Sequence, residues 1–240
     1  MKDTILTFKR FEKKYLLSAR KFDQLWAVMR DHMVPDRFFR STVCSIYYDS
    51  DDYSLIRQSL ERPIYKEKLR LRSYNVPGPN DPVFVELKKK FKGVVYKRRV
   101  EMSAETAEAY LAGQGRPPIE GQILHEIDFF LQANHVSPKV FIACDREAWD
   151  DRENPELRIT FDRNLRWRDT DLHLCAGSEG EPLLDEGEVL MEIKIPDAAP
   201  LWLAHLLSEL EIFPTSFSKY GTCYRNALLE KYFNGVIVCV

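Results

Sequence analysis

Four cations stand at alternate positions in the segment Tyr65–Tyr74: Lys66, Lys68, Arg70 and Arg72. A β-strand sends successive side chains to opposite faces, so this spacing puts all four on one side. Leu69 and Leu71 then point the other way, into a core. Lys and Arg cannot be buried unpaired, so such a row needs solvent, acidic partners or an anionic ligand. Phosphate is one such anion, since guanidinium forks match its oxygens and Lys acts as a point charge.

The same alternation recurs along the chain. Glu86, Lys88 and Lys90 share one strand face; Lys97, Arg99 and Glu101 share another; Arg158, Thr160 and Asp162 a third; Leu190, Glu192 and Lys194 a fourth. In the first strand Arg10, Glu12 and Lys14 align. A half-exposed antiparallel sheet alternates in this way on its own. Six strands doing so together predict polar faces that converge inside a closed or nearly closed sheet, too wide to be filled by side chains alone. Cations outnumber carboxylates on these faces. The few acids, Glu12, Glu86, Glu101, Asp162 and Glu192, are of the kind a divalent metal on a phosphate chain requires.

The elements that must position these residues are readable in outline. The patterning predicts helices at Ala19–Met33, Tyr53–Leu60, Ser103–Ala112, Glu120–Asn134, Leu201–Leu210 and Tyr220–Phe233. It predicts strands at Thr4–Leu17, Ser41–Tyr48, Tyr65–Tyr74, Val83–Lys90, Val94–Met102, Lys139–Trp149, Glu156–Asp162 and Val189–Ile195. Lys92-Gly93 reads as a tight hairpin turn and Pro196 as a strand stop. No repeat or linker divides the chain, so one domain over residues 1–240 is expected, α+β, with about eight mostly antiparallel strands and helices packed outside.

The net charge of −2 shows that the cations are concentrated rather than in general excess, which argues against nucleic-acid binding through whole-protein charge. Tyr74 and Tyr96 do not make the paired aromatic platform of a sheet that stacks RNA bases. No apolar run is long enough to span a bilayer, and Met1–Arg10 has no signal-peptide core. The apolar tail Val236–Val240 reads as a docked terminal strand or as the start of a further segment. Cys44, Cys144, Cys175, Cys223 and Cys239 are widely spaced, which fits a reducing, cytoplasmic setting better than disulfides or a metal framework. The five histidines are scattered, and none is expected to be catalytic.

Taken in order, Glu12-x-Lys14-Tyr15, Lys68-x-Arg70-x-Arg72, Glu86-x-Lys88, Lys97-x-Arg99, Glu192-x-Lys194 and Ser218-Lys219-Tyr220 resemble the catalytic domain of the vacuolar transporter chaperones (VTC). That family is a branch of the triphosphate tunnel metalloenzymes. The resemblance runs from about Phe8 to Leu229. It implies an eight-stranded antiparallel tunnel and ATP-dependent polyphosphate synthesis with Mn2+ or Mg2+. Carried over, Lys14, Arg70, Arg72, Arg158 and Lys219 would act on the triphosphate. Lys68, Lys88, Lys97, Arg99, Arg166, Lys194 and Ser218 would bind the chain, and Glu192 would hold the metal. Arg10 departs from the Glu-x-Glu-x-Lys start of the wider superfamily, which favours the polymerase branch. A tunnel tripolyphosphatase or nucleoside triphosphatase, and a non-catalytic polyphosphate or inositol-phosphate sensor, remain the alternatives. With no membrane segment of its own, export of a polymer would require a membrane partner.

Overall fold

The computed structural model describes residues 11–92, 94–154, 156–195 and 198–233. Arg10, Gly93, Pro196 and the tail Val236–Val240 therefore lie outside the described residues, and so do the expectations placed on them. In chain order the elements are β1 (Phe11–Leu17), α1 (Ala19–Met29), β2 (Met33–Asp49), α2 (Ser54–Leu60), β3 (Tyr65–Tyr74), β4 (Pro82–Phe91) and β5 (Val94–Ser103). They continue with α3 (Ala104–Leu111), α4 (Gln122–Asn134), β6 (Ser137–Asp151), β7 (Arg158–Arg168), β8 (Glu181–Pro182) and β9 (Val189–Ile195). The helices α5 (Leu201–Glu209), α6 (Lys219–Cys223) and α7 (Leu229–Phe233) close the chain, with the π-helical segment Tyr224–Leu228 between the last two.

The strands are hydrogen-bonded in the order β1-β9-β7-β6-β2-β3-β4-β5, with β8 paired to β7. Every ladder with a described register is antiparallel. The chain divides into two compact units. One comprises residues up to Ser41, Asp145–Asn164 and Leu184–Phe217; the other comprises Thr42–Cys144, Leu165–Leu183 and the residues from Ser218 on.

In the first unit the apolar faces of β1, β7 and β9 supply Tyr15, Leu17, Ile159, Phe161, Met191 and Ile193 to one buried core. Helices α1 and α5 cover it with Phe22, Leu25, Met29, Leu203 and Leu206, at the spacing a single helix face demands. Ser18 caps α1, its hydroxyl accepting from the Lys21 amide at 3.4 Å. The helix stops at Met29, short of the expected Met33, and the chain re-enters as β2 at Met33. The chain leaves the helix through tightened turns, the Asp31 and His32 amides donating to the Val28 and Met29 carbonyls at 3.3 and 3.0 Å.

In the second unit the core joins Ile46, Tyr48, Leu69, Leu71, Val83, Val85 and Leu87 to Ala107 and Tyr110 of α3 and Leu124, Ile127 and Phe130 of α4. Ser103 caps α3 through the Thr106 amide at 3.2 Å, as its sequence position predicts. Lys89 and Arg98, on the face of β4 and β5 opposite the cation row, both reach Glu126 of α4, at 3.0 and 3.4 Å, and so tie the helix to the sheet.

Candidate functional site

The second unit gathers most of the predicted cations. The register pairs Ser45 with Arg72 and Tyr47 with Arg70 across β2 and β3. It pairs Lys66 with Lys90, Lys68 with Lys88, and Arg70 with Glu86 across β3 and β4. On β5, Lys97 stands opposite Lys88, Arg99 opposite Glu86, and Glu101 opposite Phe84. Residues directly opposite in antiparallel strands share a face. One polar face therefore carries Lys66, Lys68, Arg70, Arg72, Lys88, Lys90, Lys97 and Arg99, with Glu86 and Glu101 as its strand carboxylates. Like charges opposite one another destabilise a sheet, and the Lys66–Lys90 and Lys68–Lys88–Lys97 rungs are like-charged.

Glu86 is the hub of this face. Its side chain is only 1% exposed, and Oε2 accepts from Arg70 Nε at 2.6 Å with Arg72 Nε at 3.9 Å. Oε1 lies 2.6 Å from Lys97 Nζ and 3.6 Å from Arg99 Nε. Burial alone would raise its pKa; Arg70, Arg72 and Lys97 outweigh that and hold it at about 2. Four cations thus share one carboxylate, and the cluster keeps a positive surplus. Arg72 also donates to Ser45 Oγ at 3.2 Å. The Arg99 guanidinium lies 3.4 Å from the Phe84 ring centroid, a cation–π contact that fixes its plane.

Ser218 and Lys219 begin α6. The Ser218 hydroxyl accepts from the Gly221 amide at 3.2 Å and from Lys68 Nζ at 3.2 Å, so the cap of this helix is bound to the basic row. Tyr220 stacks on Tyr47 with ring centroids 4.9 Å apart, and its hydroxyl donates to Asp49 Oδ2 at 2.9 Å. Asp49 also accepts from the Leu55 and Ile56 amides of α2, each at 3.0 Å. Burial raises the Asp49 pKa against these bonds, and burial together with Asp49 raises that of Tyr220. Tyr47 goes the other way: burial would raise its phenol, but Arg70, Arg72 and Lys219 bring it below the ordinary tyrosine value. Tyr47, Asp49 and Tyr220 thus join the site, although sequence reasoning missed their roles. The available signal was the parity of Ser45, Tyr47 and Asp49 within an otherwise apolar strand. Asp49→Ala removes a helix cap and a tyrosine partner at once and should cost about 2 kcal/mol or more in denaturant unfolding.

Arg166 is not brought to this face. It donates to the Ser178 carbonyl, and to Ser178 Oγ at 3.0 Å, and its charge is felt by Cys44, which lies in the apolar core. Arg168 likewise stacks over Phe141, 3.6 Å from its ring centroid. The physical reason is Asn164, whose φ of +48° interrupts the alternation after Asp162.

The first unit holds the other predicted residues. Register pairs Lys14 with Glu192 and Glu12 with Lys194. It pairs Thr160 with Glu192 and Arg158 with Lys194. Glu192 Oε1 lies 2.9 Å from Lys194 Nζ, and Oε2 lies 3.8 Å from Lys14 Nζ. Burial would raise its pKa, but Lys194, Lys14 and Arg146 hold the carboxyl far below its ordinary value. Lys14 also donates to the Phe217 carbonyl at 3.1 Å. Arg158 is ion-paired to Asp36, and Arg146 grips the buried Asp162 with two bonds of 2.6 and 2.7 Å. Asp36 and Arg146 are partners that the sequence reading did not find.

Among the described residues no group of three His, Cys, Asp or Glu side chains is placed to hold a metal. Glu192 nevertheless fits one ligand position. It is fully ionised, and the Thr160 hydroxyl directly opposite it is buried without a hydrogen-bond partner. Hard divalent cations on phosphate chains take one or two such protein oxygens and fill the rest with phosphate and water.

The fold is α+β with an antiparallel sheet, of the triphosphate-tunnel class. It is shared with the crystal structure of a candidate adenylate cyclase from Bacillus halodurans at a TM-score of 0.54 and 14% identity, covering 92% of this chain and 96% of that one. The chain belongs to the VTC domain family, whose model matches residues 9–228. It is 27% identical over 228 residues to the vacuolar transporter chaperone complex subunit 4 of Trypanosoma cruzi, covering 75% of this chain. It is 25% identical over 245 residues to the same subunit of Trypanosoma brucei brucei, covering 85% of this chain. The chain spans only 27% and 30% of the lengths of these two relatives.

Proposed function

We propose that this chain is a cytoplasmic polyphosphate polymerase domain, spanning residues 1–240, that transfers the γ-phosphoryl of ATP to a growing polyphosphate. The observation that carries this reading is the buried Glu86 carboxylate shared by Arg70, Arg72, Lys97 and Arg99, a preformed seat with surplus positive charge. Family membership and the complex-subunit relatives support it and suggest a partner chain for export of the polymer.

In the reaction a terminal polyphosphate oxygen attacks the γ-phosphorus, the bond from that phosphorus to the bridging oxygen breaks, and ADP leaves. The attacking oxygen is already ionised, so no strong base is needed. Catalysis then rests on positioning and charge stabilisation. Arg70 and Arg72 orient phosphate oxygens as forks, while Lys68, Lys88, Lys97 and Arg99 neutralise the chain. Ser218 and Lys219 bind a phosphate end. In the first unit Lys14, Arg158 and Lys194 supply the cations. There Glu192, beside the Thr160 hydroxyl, would hold Mn2+ or Mg2+, which supplies further neutralisation of phosphate oxygens.

Purified protein given ATP and Mn2+ should release ADP and build an acid-labile polymer, measured by chromatography and gel staining. Free phosphate without polymer would make the protein a tunnel hydrolase instead. One observation favours a second reading, a non-catalytic polyphosphate sensor: both Glu192 oxygens face lysines. Tight polyphosphate binding without turnover of any triphosphate would establish that reading and sink the polymerase.

A further inference from the structure

The far end of the β3–β4–β5 ladder exposes apolar side chains that no core uses. Ile64 is 68% exposed, and Tyr65, Phe91, Val94, Val95 and Tyr96 are all between 44% and 48% exposed. By register Tyr65, Phe91, Val94 and Tyr96 share one face of the ladder, while Val95, opposite Lys90, lies on the polar face at the same end. Tyr65 pairs with Phe91 and Phe91 with Val94 in register, and the Lys92 amide donates to the Ile64 carbonyl at 2.9 Å. The Tyr65 and Phe91 rings lie 6.5 Å apart, edge to face.

Cations rim this tip. Arg62, Lys90 and Lys92 are exposed there. Lys66 is close enough to Lys90 and Arg62 for both to depress its pKa, after burial. The nearby acids are mostly taken up: Glu67 by the Tyr65 hydroxyl and Lys89, and Glu126, whose charge also reaches Tyr65, by Lys89 and Arg98; Glu61 stands beside Arg62. Aromatic and aliphatic side chains at a loop tip, crowned by Lys and Arg, match the two layers of an anionic bilayer surface. Apolar groups enter the acyl boundary and cations meet headgroup phosphates and carboxylates.

From this complementarity we propose that the β4–β5 hairpin tip, with Ile64 and Tyr65, docks the protein on an anionic lipid surface. A second copy of the chain fits the same edge poorly. Strand β5 ends the sheet order, and pairing two such edges would lay Lys97, Arg98 and Arg99 of one copy along an edge that is already basic. The docking is separate from the proposed polymerase activity and can fail or hold without it.

The test is co-sedimentation of the full chain with phosphatidylcholine vesicles containing phosphatidylserine, and with phosphatidylcholine vesicles alone. Binding is expected to the anionic vesicles only. The double variant F91S/Y96S and the reversal K92E should each weaken it by about tenfold or more. Both variants should keep the thermal shift that tripolyphosphate gives the parent protein, which shows that they are folded. Saturating tripolyphosphate should leave vesicle binding in place. Three results would overturn the proposal: no binding to anionic vesicles, equal binding by F91S/Y96S, or displacement by tripolyphosphate, which would put the headgroups on the basic strand face instead. Concentration-dependent self-association abolished by F91S/Y96S, without vesicle binding, would also overturn it and make the tip an interface between copies.

Discussion

Replacing Glu86 by Gln should destabilise the protein and tighten its hold on phosphate chains at the same time. The carboxylate is 1% exposed and faces Arg70, Arg72, Lys97 and Arg99. Removing the carboxylate takes the shared counterion from the largely buried Arg70 and Arg72, a loss of about 3 kcal/mol, with the more exposed Lys97 and Arg99 adding little through solvent screening. The pH dependence gives an independent measure. The pKa of Glu86 falls from the ordinary 4.5 to about 2 on folding, so its stabilisation is fully present above pH 4.5 and fades as pH drops toward 2. Integrated over that window the contribution is about 3 kcal/mol, and it should be missing from the acid limb of the variant. Tripolyphosphate brings its own negative charge to the vacated cations, so it should raise the melting temperature of E86Q more than that of the parent. Denaturant melts at several pH values and calorimetric titration with tripolyphosphate check both halves. Equal stability and equal affinity in the two proteins would remove Glu86 from the centre of the site.

The sequence made the fold legible wherever a strand carries charge on one face. Alternation located β3, β4, β5 and β9 to within a residue or so and assigned the correct parity to Arg70, Glu86, Lys97 and Glu192, because a charged side chain cannot share a face with Leu69 or Val85. It served less well where the alternation breaks down. Strand β2 runs from Met33, whereas Pro35 and the charges Asp36 and Arg37, at successive positions and so on both faces, hid everything before Ser41. The same strand contributes Tyr47 and Asp49, whose importance depends on which residues of β3 and α6 stand opposite. One sequence does not contain that register. Arg166 shows the converse. Its type and position suit a phosphate ligand, but the left-handed Asn164 shifts the alternation, and Arg166 donates to Ser178. The ion pairs of Arg158 with Asp36 and of Arg146 with Asp162 join residues 122 and 16 positions apart, and no local pattern announces such partners.

Arg70→Ala should leave the fold standing and remove most of the turnover, the opposite balance from E86Q. Glu86 would keep Lys97, Arg72 and Arg99 after the change, so its charge stays compensated and little stability is lost. What disappears is a guanidinium that Glu86 and Tyr47 hold in a fixed plane, with its charge preserved by both. A donor oriented in advance needs no reorganisation as charge develops on the transferred phosphoryl, and losing one such donor costs about 10²–10³ in rate. Arg70→Lys separates charge from geometry. It keeps the cation but gives up the planar fork, so it should bind tripolyphosphate nearly as well as the parent and still turn over slowly. ADP release and polymer length under saturating ATP and Mn2+ read the rate, calorimetry reads the binding, and the melting temperature controls for folding. An Ala variant with undiminished turnover would move the phosphate seat away from β3, and with it the role of the alternating cations Lys68, Arg70 and Arg72. A Lys variant as active as the parent would mean that the row acts through net charge alone, which the bidentate geometry of Arg would then not explain.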